Sequence, residues 1–414
     1  MNNNEKIKYI DLFAGCGGLS LGLGMAGLKG IFAIEKDSMA FSTFKHNLID
    51  SSNSHFSWPE WLPKKSITIQ EVLEKYYDDI KNLKGKIDLI VGGPPCQGFS
   101  LAGRRKSNDP RNKLSEEYIK MVDLISPNYL LLENVKGFNT SFKKFDGIGE
   151  KTPYSMIVKD KLEKLGYKIF CDYICSADYG VPQVRTRFIM IGIKNDLIKN
   201  FSINPFDILK KLRVDYLNFK GLPLEPISVK DAIDDLLVLN NGTKYHSGSP
   251  EKGFKKIDYK PKGKNNKFVT VMRKDIGNYV PNSLRLARHK PSTVEKFKMI
   301  QSICKPGISL SDSMRQQIGT KKQAISVLNP LQPSKTLTTL PDDLLHYSEA
   351  RILTVREMAR IQTFPDSFSI LGKYTTGGSR RTQECPRYTQ VGNAVPPFLG
   401  EVLGWLIKNL KSSM

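Results

Sequence analysis

One stretch of this chain concentrates chemistry: Gly92-Gly93-Pro94-Pro95-Cys96-Gln97-Gly98-Phe99-Ser100. Two prolines fix the backbone before Cys96, and glycines on either side keep it thin, so the thiol is presented rather than packed. Most cysteines are small buried hydrophobes. A cysteine amid glycine and proline, with no apolar side chain directly beside it, has the setting of a nucleophile.

Three further groups stand at comparable places. Glu133 follows Leu130-Leu131-Leu132, which puts a carboxyl at a strand end, able to donate a proton or a hydrogen bond in a half-buried site; capping a helix through Asn134-Val135 is the plainer use. In Gln183-Val184-Arg185-Thr186-Arg187, alternation along an extended segment sends both arginines to one face, ready for a phosphate or a base carbonyl. Gly15-Cys16-Gly17-Gly18 is a tight turn before a helix, with Glu35 about 20 residues on, where a carboxyl can hold two ribose hydroxyls. That pair implies an adenosine-containing cofactor without saying which, since a nicotinamide dehydrogenase carries the same glycines and acid.

Short apolar runs position these residues. Residues 7–14, 30–34, 87–91 and 129–132 each end in small or polar side chains, and helix-like patterns such as residues 114–124 lie between them. This is the rhythm of an α/β, doubly wound sheet, whose ligands gather at the carboxyl ends of the strands. The rhythm stops near residue 195. Residues 251–300 carry 14 Lys and Arg against 4 Asp and Glu, interleaved with Phe254, Tyr259, Phe268 and Tyr279; such a surface suits a phosphate backbone, as it would a solvated loop. A helix-like pattern returns at residues 355–362, stopped by Pro365, and again in residues 392–410.

The whole chain of 414 residues carries +22, with 63 Lys and Arg against 41 Asp and Glu, a balance that favours a polyanionic partner. Its 40% hydrophobic content is that of a folded globular protein. Six cysteines without a Cys-x-x-Cys pair, and five histidines off zinc spacing, indicate neither a disulfide framework nor a metal site. No apolar run approaches a membrane span, and the expected location is the cytoplasm, on the nucleoid in a bacterium.

Taken together the motifs resemble the DNA cytosine-5 methyltransferase family, of the bacterial restriction-modification type. The resemblance runs in family order through Asp11-Leu12-Phe13-Ala14-Gly15-Cys16-Gly17-Gly18, Glu35, Pro94-Pro95-Cys96-Gln97, Glu133-Asn134-Val135, Gln183-Val184-Arg185-Thr186-Arg187, Arg356-Glu357-Met358-Ala359-Arg360-Ile361-Gln362 with Phe364-Pro365, and Gln390-Val391-Gly392-Asn393-Ala394-Val395-Pro396-Pro397. It implies a Rossmann-like methyltransferase sheet with a second, smaller target-recognition domain. The expected division is a catalytic domain at residues 1–197, target recognition at 198–385, and a C-terminal segment, 386–414, returning to the catalytic domain. It also implies S-adenosyl-L-methionine as cofactor, double-stranded DNA as partner, a flipped-out cytosine as substrate, action as a monomer on DNA, and a cognate restriction endonuclease as a functional partner.

The resemblance assigns roles residue by residue. Cys96 would add to C6 of the base, Glu133 would serve N3, Arg185 would hold O2, and Arg187 would support the loop around Cys96. Phe13 would lie against adenine, Gly15, Cys16, Gly17 and Gly18 near the methionine part, Glu35 on the ribose, and Pro94, Leu114, Asn393 and Ala394 along the remainder. Residues 104–112, polar and basic, fall where the family has a loop closing over the flipped base. Where many relatives carry Gly-Asp-Ile, this chain has Ile67-Thr68-Ile69-Gln70-Glu71, so the adenine amino contact is left unassigned.

Two rivals share the fold. A tRNA cytosine-5 methyltransferase is hinted at by Glu133-Asn134-Val135-Lys136-Gly137-Phe138, but that branch's Cys-Phe-Thr signature is missing from the middle region. A catalytically inactive DNA-binding regulator would have no need of Cys96, Glu133 and Arg185 together.

Overall fold

A computed structural model describes the chain apart from residues 1–5, 95–112, 141, 144–149, 199–203, 247–252, 262–265, 377–379, 381–382 and 414. Six strands, β1 (Lys8–Leu12), β2 (Lys29–Ile34), β3 (Leu89–Gly92), β4 (Tyr129–Asn134), β5 (Tyr167–Cys175) and β6 (Thr186–Lys194), form one sheet in the order β2-β1-β3-β4-β6-β5. The first four run parallel, and β6 is antiparallel to both its neighbours. Strands buried on both faces need unbroken apolar runs. Accordingly Tyr9, Ile10 and Leu12, Leu89 to Val91, and Leu130 to Leu132 are all buried.

Register decides where the site lies. Leu12 pairs with Ile34 and with Gly92, and Gly92 pairs with Leu132, so Phe13, Glu35, Gly93 and Glu133 each follow one residue later along the same edge. Chain order reverses between β1 and β3, because β2 leaves on one side and β3 returns on the other. That reversal opens the crevice at which doubly wound sheets bind ligands.

Helices α1 (Gly18–Met25), α2 (Ser38–Phe44), α3 (Ile69–Lys75), α4 (Lys113–Ile125) and α5 (Tyr154–Lys164) connect the strands. Tyr118, Met121, Val122 and Ile125 of α4 recur at helical spacing and are buried in the same core as Ile90, Leu130, Val158 and Leu162. Residues 67–71 initiate a helix: Thr68 and Glu71 cap the N-terminus of α3 reciprocally.

Two compact units emerge from the contacts. The first comprises Met1–Cys175, Thr186–Arg213 and Leu399–Met414, the second Ser176–Arg185 and Val214–Phe398. In the second, the described strands form only two-stranded pairs. It contains α6 (Val355–Ile361), every residue of which is buried; α7 (Arg387–Asn393) follows. The final helix, α8 (Pro397–Ser413), supplies Gly400 and Gly404 to the first unit, where Cβ atoms would fall 2.9 Å from the Leu19 carbonyl and 2.6 Å from Ala26 Cβ. Only glycine allows α1 so close. Among the described residues no helix is long and apolar enough to cross a membrane, and no cluster of His, Cys, Asp or Glu could hold a metal.

Candidate active site

At the end of β1 the chain turns sharply. Phe13 adopts φ 63, which non-glycine residues rarely do, and its half-buried ring packs at the edge of the main core. Ala14 N–H donates to the Ile34 carbonyl at 3.0 Å, tying the turn to β2. Glu35 accepts from Gly15 N–H at 2.9 Å and from Asp37 N–H at 2.7 Å. Burial raises its pKa, opposed by those two hydrogen bonds. A carboxyl fixed in this way keeps lone pairs for hydroxyl donors. Beside it, a Cβ at Gly15 would meet nothing within 4 Å, whereas one at Gly17 (φ 97) would strike Leu48 at 2.6 Å. The turn is therefore open on one side and closed on the other, a cradle that suits an adenosine-bearing ligand.

Behind the turn, Gly18 begins α1 and Ser20 Oγ donates to the buried Asp11 carboxyl at 2.6 Å. Burial pushes Asp11 up to about 7. Burial likewise pushes the Cys16 thiol up to about 12, which keeps it a thiol at neutral pH.

On the other side of the crevice, Glu133 Oε1 pairs with Arg187 Nε at 2.8 Å, both side chains being nearly buried. The pair arises because β4 and β6 run antiparallel, with Glu133 opposite Ile189 and Asn134 opposite Phe188. Gly93 comes so close that its Cβ would lie 3.2 Å from Glu133 Oε2. Asn134 Nδ2 donates to the Pro94 carbonyl at 3.1 Å, and its Oδ1 accepts from Val135 N–H at 2.8 Å. The start of the cysteine loop is thus fastened to β4, with Pro94 buried. Cys96 itself lies outside the described residues, as do residues 104–112. Leu114 is half-buried in the first turn of α4.

Alternation predicts both arginines on one face, and the structure gives them separate partners. Extended pairing breaks between them: Gln183 and Val184 pair with Ser334 and Lys335, while β6 begins at Thr186. Arg187 stands with Glu133 in the first unit. Arg185 is buried in the second, its Nη1 donating to the Leu337 carbonyl at 3.2 Å and its Nη2 to the carbonyls of Gly392 and Asn393 at 3.1 and 3.4 Å. Asn393 ends α7 with an exposed side chain and Ala394 follows, half-buried. The first unit therefore holds Phe13, Gly15, Cys16, Gly17, Gly18, Glu35, Pro94, Leu114, Glu133 and Arg187, and the second holds Arg185, Asn393 and Ala394.

Sequence reasoning overlooked Asn134, whose signal was its place beside the strand-end carboxyl. It also passed over Gln183 and Gln362, polar residues set inside otherwise structural motifs.

The M.DdeI Type II methyltransferase of Desulfomicrobium norvegicum is 32% identical, the match covering 98% of this chain and 90% of that protein. M1.HphI, a Type II methyltransferase of Haemophilus parahaemolyticus, is 28% identical over 98% of this chain and 88% of its own length. In fold, the chain is similar to a crystal structure of a DNA modification methyltransferase encoded within an Escherichia coli prophage, with a TM-score of 0.64 at 23% identity over 98% of this chain and 100% of that one. Residues 7–409 match the family model of the C-5 cytosine-specific DNA methylases, and the chain belongs to that family.

Proposed function

We propose that this enzyme methylates C5 of a cytosine flipped out of double-stranded DNA, with Cys96 as nucleophile and Glu133 as the acid at N3. The observation that carries the reading is the grouping at one strand edge: Glu133 against Gly93, three residues before Cys96, with Asn134 fastening Pro94. Cytosine C5 is a poor nucleophile. Addition of the Cys96 thiolate to C6, with a proton passing from Glu133 to N3, places an electron pair at C5. S-adenosylmethionine, when bound, would supply the electrophilic methyl group for that carbon and leave as S-adenosylhomocysteine. Loss of the C5 proton to a base then expels the thiolate and restores the aromatic ring, N3 returning its proton to Glu133. Stabilising charge as it develops is often the largest catalytic contribution.

The residues that would hold the cofactor are Glu35 on the ribose hydroxyls, Phe13 against the adenine, and the open face of Gly15 toward the methionine part, with Gly17 and Gly18 shaping the turn and Pro94, Leu114, Asn393 and Ala394 along the remainder. The ion pair with Glu133 supports Arg187, rather than Arg185, as the arginine beside the target base. Arg185, engaged with three backbone carbonyls, then organises the second unit. The target-recognition region expected at residues 198–385 would supply a surface for DNA.

Duplex DNA bearing 5-fluorocytosine, with S-adenosylmethionine, is the direct test, because fluorine at C5 blocks the final elimination. The wild-type chain forms a covalent complex that survives denaturing gel electrophoresis, and Cys96→Ser forms none. A complex formed by Cys96→Ser, or methyl transfer to tRNA alone, overturns the reading.

A further inference from the structure

Gln183 and Gln362 are both fully buried, and a buried amide is stable only where its donor and acceptor ends are both satisfied. Their hydrogen bonds run in one direction. Leu337 N–H donates to Gln183 Oε1 at 2.8 Å, Gln183 Nε2 donates to Gln362 Oε1 at 2.8 Å, and Gln362 Nε2 donates to the carbonyls of Val391 and Ala394 at 2.7 and 3.3 Å. Those two carbonyls bracket Gly392 and Asn393, where α7 ends. Arg185 grips the carbonyls between them, and Gly392 lies so close to a neighbouring segment that a Cβ would stand 2.3 Å from the Thr338 carbonyl.

The relay has a polarity. If the Gln362 amide turned over, its oxygen would face the Val391 and Ala394 carbonyls and its nitrogen would face Gln183 Nε2, so both ends would repel. The orientation of Gln362 is therefore set by Gln183, which is itself oriented by Leu337 N–H. A change at Gln183 reaches the turn at residues 391–394 without touching it.

We propose that Gln183, acting through Gln362, is a positioning residue that keeps the 391–394 turn in the shape that receives the cofactor. This rests on the reading above that Asn393 and Ala394 line the cofactor. A glutamate at position 183 would keep the bond from Leu337 N–H but present an oxygen to Gln362 Oε1, forcing Gln362 to turn over against the carbonyls it now holds.

The test uses the full chain with Gln183→Glu, Gln362→Met and the double variant, and two readouts. One is amide hydrogen exchange of residues 391–395 without cofactor; the other is calorimetric affinity for S-adenosylhomocysteine, set beside kcat and KM. Gln183→Glu is expected to speed exchange at 391–395 at least tenfold and to weaken S-adenosylhomocysteine about tenfold, while kcat at saturating cofactor falls less than threefold. In the Gln362→Met background the same change adds less than twofold, because the path is already cut. Wild-type exchange in Gln183→Glu, or its full effect on top of Gln362→Met, overturns the relay. Faster exchange with unchanged affinity overturns the link to the cofactor, and with it the assignment of Asn393 and Ala394, while leaving Cys96 and Glu133 untouched. If Gln183→Glu does not fold, Gln183→Met, of similar length and uncharged, takes its place with an expected threefold effect in both readouts.

Discussion

Glu133 and Arg187 form a pair whose members do different work, and substitution separates them. Glu133→Gln keeps the shape but cannot deliver a proton to N3, so kcat is expected to fall about 10²- to 10⁴-fold while S-adenosylhomocysteine affinity stays within twofold. A variant retaining a tenth of wild-type kcat in a tritium-transfer assay would remove Glu133 from the proton's path. Asp11 has a different signature. Burial lifts its carboxyl from the ordinary aspartate range to about 7, so the folded chain holds this proton more tightly than the unfolded one does. Its contribution to stability is greatest below about pH 4, falls as pH rises to about 7, and is constant above. The slope is at most about 1.4 kcal/mol per pH unit. Urea unfolding of wild type between pH 5 and 7 should lose more stability than that of Asp11→Asn; parallel curves would mean that Asp11 does not titrate there. At this scale the strand-end places of Glu133 and Glu35 were legible, because each closes an unbroken apolar run. The sequence did not disclose the partners of Arg185 and Arg187, since a break in pairing between them cannot be seen in a pattern of residue types.

Each element owes its legibility to burial. Strands β1 to β4 were readable because two-sided burial demands unbroken apolar runs. The hairpin of β5 and β6 was not, because β5 is an edge strand whose exposed positions include Lys168, Cys171 and Tyr173, and strand direction leaves no mark in periodicity. Helix α6 was visible from its apolar spacing and from Pro365, but the charges on it give no hint of their burial. Arg360 reaches Asp366 at 2.6 Å and Asp235 at 3.0 Å, and Arg273 reaches Asp366 at 3.1 Å. Removing one member of a buried network strands the others, so Arg360→Met is expected to cost about 3–5 kcal/mol. Thr354→Ala, which removes only the reciprocal cap with Glu357, should cost about 1 kcal/mol. Chemical denaturation measures both, and equal costs would show that the network stabilises no more than a helix cap.

For the molecule as a whole, a charge of +22 makes DNA affinity a function of salt. If the second unit neutralises six or more phosphates, log Kd should rise with log salt concentration at a slope of about 5 or steeper. Fluorescence anisotropy with a labelled duplex between 50 and 200 mM salt measures this, and a slope near 1 would leave little role for the basic surface. The point where the α/β rhythm stops, near residue 195, is where the expected division falls, whereas the compact units change over at Arg213 and Val214. The return of the last helix was legible only by resemblance, since an apolar helix pattern does not name its partner. That return has a consequence for biosynthesis. Lys408 Nζ donates to the Ala26 carbonyl across 382 positions of sequence, and Gly400 and Gly404 cover Leu19, Leu23 and Ala26. At ribosomal rates of about 5–20 residues per second, α1 emerges on the order of 20–80 s before the helix that shields it. The nascent chain carries that face without its α8 cover through nearly all of translation, and a ribosome stalled before residue 397 holds a first unit that lacks its last helix.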